Sequence, residues 1–177
     1  MRQALYLIFG YLVGFHTTNA AETFSFDMPQ PRLRVVVPDI PQIKMGIHPN
    51  AALQPHARFM GTGPQGFSIT ILMPTADAGM SPRDCARTMH KSIMARFRVD
   101  PKSVVAQQAN ESTFVVLFPL KIDPLVQFKA FLLSGSAGSH CVEVHISKTI
   151  VPATAETVSA QLPNWYQGFR KAKIESY

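Results

Sequence analysis

Hydrophobic positions along this 177-residue chain change period twice. Over 113–120, 125–133 and 141–148 apolar residues run at period two and predict three strands, with a fourth over 103–109. Their links are Asn110-Glu111, Ile122-Asp123-Pro124 and the stretch 134–139, short enough for an antiparallel meander. Upstream, 58–60 and 67–73 predict two more strands. The second is mostly apolar, as expected when both faces are covered. Between these groups the period becomes helical: Ala86, Met89, Ile93, Met94 and Phe97 recur at three and four residues. Ser81 is the expected N-cap, with Pro82 at the first helical position and Asp84 at the third, a capping-box spacing. Asp100-Pro101 is expected to close this helix. A second helix follows Pro152, with Val158, Leu162, Trp165 and Phe169 on its inner side; Pro163 is expected to break or restart it.

Pro29, Pro31, Pro38, Pro41, Pro49 and Pro55 exclude continuous helix over 22–58. One strand is expected at 32–37, followed by an extended crossover or arm over 40–55. The order strands, helix, antiparallel strands, helix defines an α+β fold: a mostly antiparallel sheet with a capped central helix and a C-terminal helix packed on it. The expected division is a leader over 1–20, a proline-rich arm with a short strand over 21–56, and a globular domain over 57–177.

The leader reads as a secretory signal peptide. Arg2 supplies a positive start, residues 4–15 an apolar run, and Thr18 and Ala20 the small residues read by a signal peptidase. Twelve apolar residues span about 18 Å as a helix, short of a bilayer core of about 30 Å. A mature chain starting at Ala21 or Glu22, exported to a periplasm or the exterior and without a transmembrane span, is therefore expected. Past residue 20 the chain keeps 16 of its 17 Lys and Arg and all 11 acids, a net charge of +5. That balance suits an acidic protein or an anionic envelope component. Cys85 and Cys141 both follow the leader, so an oxidising compartment would pair them.

Several motifs invite chemistry. Gly61-Thr62-Gly63-Pro64-Gln65-Gly66 has the G-x-G-x-x-G spacing, but the strand-like Phe67-Ser68-Ile69 follows where a phosphate loop needs a helix. Ser134-Gly135-Ser136-Ala137-Gly138 nearly matches a nucleophile elbow, but it joins strand to strand and reads as a flexible turn. On the strand after Cys141, alternation puts Val142, Val144 and Ile146 on one face and Cys141, Glu143, His145 and Ser147 on the other. Glu143, His145 and Ser147 form a candidate polar strand site. Neighbours on one strand face stand about 6.6 Å apart, too far for a proton relay, so no catalytic residue is assigned. No metal ligand set and no cofactor are expected: His140 and His145 have opposite parity, and Met89 and Met94 belong to the helix core. Arg83, Arg87 and Lys91 recur every four residues as a basic stripe, flanked by Arg96 and Arg98, and form a candidate anion-binding face. Arg170, Lys171 and Lys173 make a second basic cluster. Nucleic acid is disfavoured as a partner because no aromatic residues interleave with the stripe.

Ser81-Pro82-Arg83-Asp84-Cys85 opening the helix and the segment 141–148 opening with the second cysteine carry a resemblance. The order of elements over 60–175 resembles the fold shared by the PsbP and Mog1 families, and small exported proteins with one Cys in a capped helix and another opening a late strand. The resemblance implies non-catalytic assembly or binding, and no catalytic residue carries over. The expected function is a non-enzymatic exported binding or assembly module for an anionic surface or protein partner. The alternative expectation is a small periplasmic hydrolase or metal-handling protein using His145 and Glu143. A pocket around both residues would favour that alternative.

Overall fold

The computed structural model describes residues 22–54, 56–135, 140–151 and 154–177. The expected signal peptide lies outside the described residues. Ten strands and two helices follow in order: β1 (Thr23–Met28), β2 (Leu33–Pro38), β3 (Gly46–Ile47), β4 (Ala57–Thr62), β5 (Phe67–Leu72), α1 (Pro82–Phe97), β6 (Val105–Gln108), β7 (Thr113–Ile122), β8 (Leu125–Gly135), β9 (Cys141–Ile150), α2 (Ala155–Gly168) and β10 (Lys173–Ser176). Seven strands form one sheet in the order β3-β4-β5-β9-β8-β7-β6, and β1-β2-β10 form a second. Every pairing is antiparallel. The fold is α+β, as expected, with α1 on one face of the large sheet and the small sheet and α2 on the other.

β7, β8 and β9 read as near-continuous apolar runs because both of their faces are covered. Phe128, Ala130, Leu132, Val144 and Ile146 join Phe24, Val35, Trp165 and Ile174 in the main core. Phe118, Phe131 and Leu133 face the other way and pack with Ala86, Met89 and Ile93 of α1. Pro119 interrupts β7 without breaking a ladder. Ala109 N donates to Thr113 O at 2.9 Å, so alternate β7 residues 113, 115, 117 and 119 point their backbone groups toward β6. β6 pairs no further than Leu117, and the missing N–H of Pro119 falls where no neighbouring strand remains.

Several boundaries differ from the sequence reading. α1 ends at Phe97, capped by Arg98 in the left-handed region (φ 49°) with its N–H on Met94 O, so Asp100-Pro101 lies past the end. α2 runs through Pro163 without a break. The missing i→i−4 bond is tolerated because Trp165 and Phe169 are buried in the core and Val158 and Leu162 pack against it. β5 is covered fully on one face only: Phe67, Ile69 and Ile71 are buried, while Ser68, Thr70 and Leu72 are half-buried. Ser134 and Gly135 belong to β8 rather than to a turn. A Cβ on Gly135 would stand 2.3 Å from Pro82 Cα, so this glycine admits the start of α1 against the sheet. Gly61 and Thr62 end β4, and residues 63–66 turn the chain into β5, with Gln65 and Gly66 at positive φ. The proline-rich N-terminal stretch carries β1 and β3 besides the expected strand, and Phe24, Met28, Val35, Val37, Ile40 and Ile43 are buried in the main core. Among the described residues no helix is long and apolar enough to cross a membrane.

Candidate functional site

Cys85 and Cys141 form a disulfide, with Cα atoms 5.5 Å apart. The bond ties the first turn of α1 to the start of β9 and sets which helix faces look where. Ser81 caps the helix, accepting from Asp84 N at 3.2 Å and donating to Asp84 Oδ2 at 2.7 Å. That hydroxyl contact holds the Asp84 carboxyl below its ordinary range; partial desolvation opposes it and Arg87 adds to it.

The basic residues of α1 separate into groups. Arg83 and Arg87 are exposed and line a cavity of about 330 Å³ between α1 and the β6–β7 side of the sheet. Ala86 and His90 of α1, Ala106 and Gln108 of β6, Phe114 and Val116 of β7, and Leu133 of β8 complete most of its wall. Arg87 makes a surface ion pair with Asp84 at 3.2 Å. His90 lines the cavity, and its Nε2 is buried with no hydrogen-bond partner among the described residues. Lys91 is exposed but does not line the cavity, and Arg98 is the helix cap. Arg96 departs from the expected anion-binding set. Thirteen residues after Arg83, it lies on the opposite side of the helix and pairs with Glu143 at 2.8 Å, with its guanidinium 4.9 Å from the Phe97 ring centre.

The three polar residues of β9 face α1 as alternation requires, but each is engaged elsewhere. Glu143 is buried and holds Arg96. His145 stacks on Phe131 with ring centres 4.4 Å apart and planes 7° off parallel, while Phe97 meets it edge-on at 5.9 Å. Its Nε2 is buried with no hydrogen-bond partner among the described residues. Burial first, then the charges of Lys129 and Arg96, push its pKa down to about 3. Ser147 shares a 2.7 Å hydrogen bond with Ser68. The three side chains of the candidate polar strand site are thus engaged separately: a cation on α1 reaches Glu143, aromatic rings enclose the imidazole of His145, and Ser68 bonds Ser147. A second cavity, of about 270 Å³, touches Glu143, Arg96, His56, Thr88 and Ser92 but not His145. Among the described residues no group of three or more His, Cys, Asp or Glu is placed to hold a metal ion.

Sequence reasoning did not single out Lys129, His90 or the β6 edge. Lys129 has the same parity as Phe131 on β8. It is buried, with its amine 5.6 Å from the Phe97 ring centre, and burial and Arg96 lower its pKa. A lysine inside an apolar period-two run was the available signal. β6 ends the large sheet, and sheet order is not written in a strand's own sequence. On the far face, Lys148 donates to Gln161 at 3.1 Å beside a cavity of about 170 Å³ that Trp165 also lines.

No family model matches the chain. The comparison with curated proteins likewise finds no match. Among solved structures, it is similar to a Bacteroides thetaiotaomicron VPI-5482 protein determined at 1.50 Å, with a TM-score of 0.50 and 9% identity. The match covers 87% of this chain and 48% of that one, so this chain spans about half the length of its structural neighbour. At that identity the likeness is one of fold.

Proposed function

We propose that the protein is an exported, non-enzymatic binding module that engages an anionic partner through the basic side of α1 and the cleft beneath it. One observation carries this reading. Arg83 and Arg87 stand exposed over a cavity whose walls include Ala86, Phe114, Val116 and Leu133. Neither arginine is committed to a buried carboxylate, in contrast to Arg96. Cationic heads above an apolar floor suit a ligand that is both acidic and partly apolar. Export is supported by the leader-like first twenty residues and by the disulfide. A non-catalytic role is supported by His145, which is enclosed by rings and held neutral at pH 7, away from both Glu143 and Ser147 as partners. The resemblance to the PsbP and Mog1 families points the same way.

The test compares two charge reversals. Poly-L-glutamate binding to the mature protein is measured by titration calorimetry for wild type, R83E/R87E and R170E/K171E. The α1 variant is expected to weaken binding at least about tenfold, an energy of about 1.4 kcal/mol, and the C-terminal variant less than about twofold. Binding should also weaken with added salt. Equal losses in both variants would mean general attraction to a cationic protein and would refute this site.

A further inference from the structure

The cleft under Arg83 and Arg87 opens beside a strand with an unused edge. β6 is the last strand of the seven-stranded sheet, and among the described residues nothing pairs with its outer side. Which of its backbone groups are free follows from one bond. Ala109 N donates to Thr113 O, and hydrogen-bonded pairs alternate along an antiparallel ladder. Gln107 and Val105 therefore face Val115 and Leu117 of β7. The N–H and C=O groups of Ala106 and Gln108 point outward. Both residues are exposed.

The side chains of the same two residues point toward α1. Ala106 pairs with Val116 and Gln108 with Phe114, and Val116 and Phe114 belong to the cluster under the helix. Both β6 residues line the cavity with Arg83, Arg87 and His90. A strand laid on this edge, about 4.8 Å beyond β6, would turn alternate side chains toward the helix and the others away from it. Side chains on the helix side would meet two guanidinium groups at the rim and apolar groups below.

Resting on the basic-face reading above, we infer that the partner presents an extended acidic segment, which adds to β6 as an eighth strand. Main-chain bonds to Ala106 and Gln108 supply the docking, and Arg83 and Arg87 select carboxylates at every second position. The addition is antiparallel. Residues opposite Ala106 and Gln108 then point their side chains to the α1 face and their own N–H groups at β6.

The probe is a capped peptide of alternating Glu and Val, titrated into the mature protein. Two further peptides carry N-methyl groups on every Glu or on every Val. The parent peptide is expected to bind, with R83E/R87E weakening it at least about tenfold and R170E/K171E less than about twofold. N-methylation of the Glu set should abolish binding, and N-methylation of the Val set should leave it within about threefold, because only one set of N–H groups faces the edge strand. The reverse pattern would keep the added strand but make it parallel. Equal behaviour of the two methylated peptides would overturn strand addition, and the basic-face reading would stand on the polyglutamate result. If phosphatidylglycerol vesicles depend on Arg83 and Arg87 while the parent peptide fails to bind, the partner is a lipid surface and the inference is wrong.

Discussion

His145 shows how one side chain can be polar in sequence and part of an apolar stack in the fold. Its imidazole lies flat on Phe131, and its pKa falls from 6.5 to about 3. The unfolded chain therefore binds a proton that the folded chain refuses between those values. Stability should fall as pH drops through about 6.5 toward 3, by up to about 1.4 kcal/mol per pH unit from this group. His145→Phe keeps the stack and removes the titration. Urea unfolding at pH 7 and pH 5 should show the wild type losing about 2 kcal/mol more than the variant. Equal losses would place the acid sensitivity elsewhere. Glu143 makes the complementary case. Its side chain is 7% exposed and its partner Arg96 42% exposed. Arg96→Ala would leave a buried carboxylate without its cation. Removing one member of a fully buried pair costs about 3–5 kcal/mol, and the partial exposure of Arg96 lowers the expected loss to about 2 kcal/mol. Arg96→Met with Glu143→Gln should recover much of it in a denaturant titration.

At the scale of elements, α1 does three jobs with three sides. Ala86, Met89 and Ile93 anchor it to the sheet, Arg96 holds β9, and Arg83 and Arg87 look over β6. The disulfide joins this helix to β9 across a sequence separation of 56. Loop-closure entropy for such a span is about 4 kcal/mol at most, and losing a native bridge in a small secreted domain costs about 2–5 kcal/mol. Cys85→Ala should lower the free energy of unfolding within that range. The loss should concentrate in α1, seen as faster amide exchange along the helix before the sheet opens. Unchanged exchange in α1 would show that packing alone holds it.

At the scale of the whole molecule, the two ends of the described chain meet in one sheet. β1 and β10 both pair with β2, and Ile174 N donates to the buried Thr113 Oγ1 at 3.0 Å, linking the small sheet to the large one. Ile174 is buried in the main core with Val35, Phe169 and Ala172. Ile174→Ala should therefore cost about 2–4 kcal/mol in thermal or urea unfolding, as a core truncation does. A loss below about 0.5 kcal/mol, the level of a surface change, would mean that the last strand is an appendage.

What the chain alone determined is whatever depends on neighbours in sequence. The cap at Ser81, the apolar face of α1, the β7–β9 meander and the two faces of β9 follow from local hydrogen bonding and from periods of 3.6 and 2. Even the separation of Glu143, His145 and Ser147 from one another was legible, because strand geometry spaces them. What only the tertiary structure decided is partnership. Arg96 belongs with Glu143 rather than with Arg83 because the helix turns it across the sheet from the cleft. β3 and β10, two and four residues long, carry weak patterns of their own and exist through pairing, whereas β1 alternates polar and apolar residues over Thr23–Met28, a period-two signal present in the sequence. The β6 edge became a candidate site through sheet order alone. Periodicity says which way a side chain points, but the three-dimensional order of strands decides what it meets there.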